Sequence, residues 1–304
     1  MHIEAVRFIR AAAHGSSHPS LIEASDGQSY WLKFQGNPQG SETLINEWTA
    51  VRLAALVGLP VPETRLISVS ADFIRRNPGT YFYRAAAGHG LQQPFPGIAL
   101  GIAHVAGSES GTPETQKAST AFFAGGLVFD VWTCQEDRRQ AIFRSRRSSG
   151  PGVAFIDFGR AFAPSHLDHA LEFTDGGRAP YARHFNYSRL RSMAVFEPWL
   201  DRIDRLPDAA IDSAVTDVPP EWFDLKSAWD CYERDYGDGR SPMTPAGLRL
   251  RARSLKDRRQ ALRVALEAEI AYSRDYLCCW EDHLSEAAMG LSEERRARET
   301  EDVF

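Results

Sequence analysis

The apolar positions in the first third of the chain fall in short runs separated by turn residues, a pattern typical of β-strands. These runs predict strands at residues 3–12, 21–24, 30–34 and 64–69. Asp26-Gly27 lies between the second and third runs and favours a tight hairpin, because this dipeptide accepts positive φ angles. The first third of the chain is therefore predicted to form a small antiparallel sheet.

One helix interrupts the predicted strands. Ser41 is a favourable N-cap, apolar residues recur at near-helical spacing over 44–56, and Gly58 ends the pattern. Lys33 lies inside the third strand and Glu47 lies on this helix. A strand lysine can bind the α- and β-phosphates of a nucleotide, and a helix glutamate can hold its ammonium group in place. A lysine and a glutamate on the solvated outer surface fit the same pattern.

A loop of small residues joins the first two predicted strands. It contains Gly15, Ser16 and Ser17. The backbone N–H groups of such a loop can cradle phosphate oxygens, which makes it a candidate nucleotide-binding element. An ordinary turn of a β-meander is the alternative interpretation.

The character of the chain changes near residue 95. Residues 88–96 are rich in glycine, glutamine and proline, and the apolar segment 98–105, which contains Gly101, is predicted to connect two lobes and to offer its backbone to an adenine edge. We therefore predict lobes at 1–95 and 96–304. The second lobe is predicted to be mainly helical, with helices at 118–130, from 196, from 218 and from 248 to about 284, and with one β-hairpin at 141–143 and 153–156.

Two carboxylates flank this hairpin. Asp137 precedes its first strand and Asp157 follows its second, so the two are expected at either end of the β-ribbon. Asp157 also begins the sequence Asp157-Phe158-Gly159. In a phosphoryl-transfer site, one aspartate orients or deprotonates the acceptor hydroxyl and a second holds Mg²⁺. The spacing and setting of the two aspartates indicate this chemistry.

The composition narrows the class of protein. The 304 residues are 43% hydrophobic and 25% charged, which predicts a well-packed core rather than disorder. The formal net charge of −5 and the lack of a long apolar run give no reason to expect a nucleic-acid or membrane partner. The four cysteines lack the spacing of a metal site, and the first residues lack the pattern of a signal peptide, so we expect a cytoplasmic protein with reduced thiols.

Several motifs, in a fixed order, resemble those of the HipA-like kinase family. They span about residues 1–270. The motifs are His14-Gly15-Ser16-Ser17, Leu32-Lys33-Phe34-Gln35-Gly36-Asn37-Pro38-Gln39, Leu44-Ile45-Asn46-Glu47-Trp48, Gly58-Leu59-Pro60-Val61-Pro62, the hinge-like 96–101, the catalytic-loop-like 130–141, Phe155-Ile156-Asp157, and Phe196-Glu197-Pro198-Trp199-Leu200. Each motif alone is weak, and the collinear set is specific.

This resemblance implies an α+β, bilobal, protein-kinase-like fold, with a small antiparallel-sheet N-lobe carrying one helix and a larger, mainly helical C-lobe. It implies a kinase that uses ATP and Mg²⁺ and transfers the γ-phosphate to a hydroxyl acceptor, such as Ser or Thr of a protein. The implied roles are phosphate binding for Gly15, Ser16, Ser17 and Lys33, pairing of Lys33 with Glu47, adenine contact at Gly101, catalytic base for Asp137, and metal binding for Asp157.

The second metal ligand departs from the usual pattern. Typical kinases place an asparagine five residues after the catalytic aspartate, where this chain has Ile142. Gln140 and Gln135 are the candidate amide ligands in its place. Glutamine has one more methylene than asparagine and would shift the amide oxygen by about 1.5 Å. A displacement near 1 Å can cost about 10²-fold in rate.

Three other functions are weighed beside an active protein kinase. Ile142 and Gln135 raise the alternative of a pseudokinase that binds nucleotide and acts as a regulatory module. A kinase of the same fold acting on a small molecule or a lipid has the same catalytic parts. A metal hydrolase would have to use Ser165-His166-Leu167-Asp168-His169, where only two histidines cluster and no third ligand follows at a telling interval.

Overall fold

The computed structural model describes residues 3–83, 91–135, 137, 139–144, 152–162, 187, 189–223 and 243–272. Internal contacts divide the chain into two compact units, which are described separately. The first unit comprises Met1–Thr49, Pro62–Val105 and Asp217–Gly247, and the second comprises Ala50–Val61, Ala106–Thr216 and Leu248–Phe304. The division into lobes at residue 95 stays a prediction.

A closed five-stranded sheet forms the centre of the first unit. Within the described residues this unit has seven strands: β1 (Ile3–Ala11), β2 (Ser20–Ala24), β3 (Ser29–Gln35), β4 (Thr64–Val69), β5 (Phe82–Tyr83), β6 (Leu91–Gln92) and β7 (Phe95–Ala103). Five of them close in the order β1-β2-β3-β7-β4, and β5 pairs with β6. The four strands predicted from sequence periodicity are confirmed to within one residue at each end.

The closure of the sheet was not predicted. Its ladders are antiparallel except that of β1 with β4, which is parallel, with Ile3 opposite Ile67. The chain between β1 and β4 includes two strands and a helix, and a crossover of that length allows β4 to return in the same direction as β1. The apolar interior of this barrel includes Ile22, Leu32, Phe34, Ile67, Val69 and Ala99.

The first unit also contains the first half of the predicted helix and a segment from late in the chain. Helix α1 (Ser41–Leu56) is confirmed, and the division between the units falls inside it. Helix α2 (Ala71–Arg76) and a 3₁₀ turn, Pro78–Thr80, follow β4. A second 3₁₀ turn, Pro220–Phe223, is fixed to β7 because the indole of Trp222 donates to the carbonyl of Ile98 at 2.7 Å.

The described elements of the second unit are mainly helices. Its described elements are α3 (Pro113–Ala118), α4 (Thr120–Thr133), β8 (Gln140–Phe143), β9 (Val153–Ile156), α5 (Glu197–Asp204), α6 (Asp208–Thr216), α7 (Pro245–Arg258) and α8 (Leu262–Tyr272). The helix expected from 248 to about 284 is interrupted by a 3₁₀ turn, Arg259–Ala261, and residues beyond 272 lie outside the described part. None of the described helices is long and apolar enough to cross a membrane.

Helix α4 is the central element of the second unit. From Phe123 to its end at Thr133 its residues are buried. Two tryptophans fix it to its neighbours: Trp132 donates to the carbonyl of Leu255 at 2.9 Å, and Trp199 donates to that of Ala121 at 3.0 Å. Because α4 is held on several sides, its C-terminal end is a rigid starting point for the chain that carries Asp137.

The packing around Gly101 leads to a test of the barrel. A Cβ on Gly101 would lie 2.3 Å from Cδ1 of the fully buried Ile67. Overpacking a core costs about 1–3 kcal/mol, so we expect Gly101→Ala to lower the free energy of unfolding by about that amount. Ile67→Val removes that methyl group at a cost of about 1 kcal/mol.

In the double variant Gly101→Ala/Ile67→Val, we expect the loss to be smaller than the sum of the two single losses. Urea unfolding followed by tryptophan fluorescence measures all three variants. Strictly additive losses would mean that the two residues do not compete for the same space.

Candidate active site

Lys33 and Glu47 form a buried ion pair in the first unit. The Lys33 ammonium lies 2.5 Å from a carboxylate oxygen of Glu47, and the side chains are 7% and 1% exposed. Lys33 lies in the middle of β3, opposite Leu100 of β7, and Glu47 lies on the second turn of α1. The alternative of two solvated surface residues is therefore wrong. Two buried charges cost several kcal/mol each to desolvate, so stability alone does not account for this pair and a further function is indicated.

The Gly15 loop is a tight turn between β1 and β2. Gly15 has a φ of 117°, a region that side chains rarely adopt, and its carbonyl accepts a hydrogen bond from the N–H of His18 at 3.0 Å. Ser16 is exposed and Ser17 is buried. The strand ends are joined where Ala12 N–H donates to the Pro19 carbonyl at 2.9 Å. Phosphate binding by this loop stays a prediction.

Gly101 lies inside the sheet, between two neighbouring strands. It stands opposite Leu32 of β3 and opposite Arg65 of β4. The segment that the sequence predicted to connect two lobes is therefore part of strand β7 (Phe95–Ala103), which pairs with β3 on one side and β4 on the other. Contact of Gly101 with an adenine stays a prediction.

The two aspartates lie at the same end of the β8–β9 ribbon, not at either end of it. The ribbon is antiparallel with Gln140 opposite Ile156, so the start of β8 and the end of β9 are adjacent. Asp137 stands shortly before Gln140, and Asp157 directly follows Ile156. An antiparallel hairpin necessarily brings its first and last residues together. Both carboxylates therefore lie at the open end of the ribbon.

Asp157 is held by the two glutamines named as candidate metal ligands. The Gln140 amide nitrogen donates to a carboxylate oxygen of Asp157 at 2.6 Å, and the Gln135 amide nitrogen donates more weakly to its carbonyl at 3.4 Å. Asp157 is half-buried, has a φ of 60°, and stands next to the buried Phe158. Asp137 is exposed. The structure therefore brings Gln135, Gln140 and Asp157 together.

The chemistry of these side chains fits a hard cation. The Gln135 amide oxygen is buried, in a residue that is 0% exposed, and among the described residues it accepts no hydrogen bond. A buried oxygen without a donor is unfavourable, and Mg²⁺ prefers oxygen ligands such as this amide and the Asp157 carboxylate. The Ile142 side chain is a hydrocarbon and supplies no ligand, and the residue pairs with Ala154 inside the ribbon.

No group of three or more His, Cys, Asp or Glu side chains able to hold a metal occurs in the described part of the chain. A metal site among the described residues would thus have at most two of these side chains and would need other ligands, such as amide oxygens. The histidines considered for a hydrolase, His166 and His169, lie outside the described residues.

Sequence reasoning missed a second buried ion pair, between Asp130 and Arg139. Both side chains are 1% exposed. Burial raises the pKa of the Asp130 carboxyl, and the Arg139 guanidinium opposes that rise. Arg139 lies in a charged turn whose polar character indicates exposure, and only the position of Asp130 inside an otherwise apolar helix suggested that a buried cation was needed.

The Lys33–Glu47 pair can be tested through the stability of the protein. We expect Lys33→Met and Glu47→Leu each to destabilise the fold by about 3–5 kcal/mol, because each leaves one buried charge unmatched. The double variant should lose less than the sum of these values. Urea unfolding measures the cycle.

The exposed pair Arg7–Glu23, on β1 and β2 of the same unit, is the matched control. Its side chains are 64% and 37% exposed. We expect Arg7→Ala to change the stability by less than about 1 kcal/mol. Equal effects at the two pairs would contradict the burial of Lys33 and Glu47.

Comparisons with known proteins agree with the kinase resemblance. A sequence profile described as HipA-like kinase matches residues 5–233. No curated protein matches the chain. Among solved structures, the Helicobacter pylori proinflammatory kinase CtkA matches with 12% identity and a TM-score of 0.42, covering 88% of this chain and 98% of that one.

A Golgi casein kinase matches with 10% identity and a TM-score of 0.45, covering 89% of this chain and 75% of that one. The same kinase with Mn/ADP bound matches with 9% identity and a TM-score of 0.37, covering 86% and 73%. The family assignment depends on the sequence profile, which spans most of the chain. This mixed helix-and-strand protein belongs to the family of HipA-like kinases.

Proposed function

We propose that this protein is an ATP- and Mg²⁺-dependent kinase that transfers the γ-phosphate to a hydroxyl acceptor, a Ser or Thr of a protein. The observation that carries the proposal is the buried Lys33–Glu47 pair, at 2.5 Å, in the two positions where the family places its phosphate-binding lysine and the glutamate that orients it. A charge pair this costly to bury is explained when the ammonium also binds a polyanion.

The first unit would bind the nucleotide. Lys33 would contact the α- and β-phosphates, with Glu47 fixing its ammonium group. The backbone N–H groups of Gly15, Ser16 and Ser17 would cover the phosphate oxygens. The β7 backbone near Gly101 would contact the adenine. Positioning of this kind accounts for most of the rate acceleration in phosphoryl transfer, because the protein performs little covalent chemistry itself.

The second unit would supply the catalytic carboxylate. Asp137 accepts the proton of the acceptor hydroxyl as the hydroxyl oxygen forms its bond to the γ-phosphorus. The bond from that phosphorus to the β,γ-bridging oxygen breaks, and ADP leaves with the electron pair. The exposure of Asp137 suits this role, because an incoming acceptor must reach it.

Asp157 and the amide oxygens of Gln135 and Gln140 would hold Mg²⁺. When bound, the cation would neutralise charge on the phosphate oxygens. Gln135 has a buried oxygen available for this purpose. Gln140 faces Asp157 with its amide nitrogen, so it would have to rotate its terminal amide to offer the oxygen.

A second candidate function is a pseudokinase that binds nucleotide without transferring phosphate. The observation in its favour is Ile142, which stands where typical kinases have a metal-binding asparagine and lies inside the ribbon. The Lys33–Glu47 pair would be retained for nucleotide binding in either case.

Phosphate transfer is the test of the first function. Purified protein is incubated with Mg²⁺ and γ-labelled ATP, with and without cell extract as acceptor. We expect Asp157→Ala and Asp137→Asn each to reduce transfer by at least about 10²-fold, since each removes a group that acts directly on the reaction. Asp201→Asn, in an exposed helical ion pair of the same unit, is the control and should transfer like wild type. Equal transfer by wild type and Asp157→Ala would show that the assignment of Asp157 is wrong.

Nucleotide-dependent stability distinguishes an active kinase from a pseudokinase. Mg²⁺-ATP at 100 times its Kd should stabilise the folded protein by about 2.7 kcal/mol, which appears as a rise in Tm. We expect Lys33→Met to abolish this rise. A rise in wild type without any transfer would favour the pseudokinase, and the lack of a rise at millimolar nucleotide would contradict both functions.

A further inference from the structure

One arginine joins three parts of the candidate active site. The Arg139 guanidinium binds the Asp130 carboxylate on α4 as a fork: Nε donates to one oxygen at 3.3 Å and Nη2 donates to the other. Its remaining terminal nitrogen, Nη1, donates to the carbonyl of Ile156 at 3.1 Å. The same group lies 4.0 Å from the ring centroid of Phe158. Arg139 therefore contacts the residues on both sides of Asp157.

Arg139 also stands two residues after Asp137 in the chain. Gln135, Asp137 and Arg139 lie between α4 and β8, outside both elements. Because Arg139 is bound to Asp130 on α4, the position of Asp137 two residues earlier is restricted. The contacts of Arg139 with Ile156 and Phe158 restrict the position of Asp157 in the same way.

The energetics of the pair suggest a role beyond stability. Replacing a buried ion pair with apolar side chains of similar size is often neutral or stabilising, so such a pair contributes little to stability that packing could not supply. An apolar side chain cannot supply the directional hydrogen bonds that this pair makes. A planar fork fixes the guanidinium relative to the carboxylate, and the third donor then fixes a carbonyl relative to both.

We propose that Arg139 is a positioning residue, which holds Asp137 and Asp157 in a fixed relation by anchoring both of their segments to Asp130. The role rests on the proposed kinase function. In this role Arg139 acts through Asp137 and Asp157 and not directly on the substrate or the metal. Lysine cannot replace it, because a single ammonium lacks the fork and the third donor in a common plane.

The experiment separates positioning from folding by comparing three variants. Asp130→Leu/Arg139→Met removes both charges and keeps apolar volume, so we expect its Tm to stay near that of wild type. Arg139→Lys keeps the charge without the fork. Arg258→Met is the matched control, because Arg258 is equally buried in the same unit and donates to the carbonyl of Val131 at 3.0 Å.

Hydrogen exchange of the amides is the first readout, and it requires no activity. We expect peptides covering 153–162 to exchange at least about tenfold faster in Asp130→Leu/Arg139→Met, because the carbonyl anchor before Asp157 is lost. Peptides of α4 before Asp130 should exchange as in wild type. In Arg258→Met, the 153–162 peptides should keep the wild-type rate. Unchanged exchange in the double variant would overturn the proposal.

Kinetics and metal dependence are the second readout. We expect kcat to fall about 10²-fold in the double variant and in Arg139→Lys, since a misplacement near 1 Å has about that effect. The Mg²⁺ concentration for half of the ADP-induced rise in Tm should increase about 10-fold or more, while Arg258→Met leaves it unchanged. If the double variant kept the wild-type kcat and metal dependence, the proposal would be wrong, and Arg139 would serve only the packing of the core. If exchange changes as expected while wild type transfers no phosphate, the proposed function fails and the anchoring role stands.

Discussion

The constraint on which the candidate active site depends is that a charge buried in a protein needs a partner. Lys33 with Glu47 and Asp130 with Arg139 are buried pairs whose side chains are at most 7% exposed. Pairs such as Arg7–Glu23 are open to water and can be lost at little cost. Each buried pair lies in a different compact unit, and each connects residues from consecutive parts of the chain. Both units thus contain an interaction whose geometry is fixed because breaking it would leave a bare charge in the core.

Local backbone strain in the second unit occurs in the same place as this buried charge. Cys134, Asp157 and Phe162 have φ values of 49°, 60° and 62°, in a region that non-glycine residues rarely adopt. Such residues cost about 1–3 kcal/mol each and persist only where surrounding contacts hold them. Those contacts are present: Phe162 N–H donates to the Thr133 carbonyl at 2.7 Å, and Arg139 holds the carbonyl before Asp157. The left-handed turn at Asp157 directs the chain away from β9 immediately after the carboxylate.

Much of the secondary structure could be predicted from the sequence, because period-two and period-3.6 patterns reflect local burial. Strand β4 and helix α1 show this most clearly. The closure of the barrel could not be predicted, since the pairing of β1 with β4 connects residues far apart in the chain and leaves no local pattern. The burial of Lys33 was undecided for the same reason: a lysine in an apolar strand fits a buried pair and a solvated surface equally well until the neighbouring helix is placed.

Only some residues of the candidate site could likewise be recognised from the sequence. Asp137 and Asp157 stand out in the sequence because each borders an apolar run, and an antiparallel ribbon then brings both to its open end. Arg139 does not stand out, because the turn that contains it has two adjacent arginines and two acidic residues, and composition cannot show which side chain points inward. The buried carboxylate of Asp130 determines which arginine points inward. Because a charge buried on α4 needs a partner, an arginine within reach is buried beside it.

The glutamines are where the chemistry of this chain differs most from a typical kinase. An asparagine five residues after the catalytic aspartate would stand in the ribbon, where this chain has the apolar Ile142. Amide groups are supplied instead from two other directions: Gln135, buried at the end of α4, and Gln140, exposed at the start of β8. Both approach Asp157 through their nitrogens, at 3.4 and 2.6 Å. In the proposed site, a cation would compete with these N–H groups for oxygen atoms of Asp157, and each glutamine would have to rotate its amide to offer its own oxygen. Within the described part of the chain, the buried amide oxygen of Gln135 has no donor, so Gln135 is the glutamine whose oxygen would gain most from a bound cation in the proposed site.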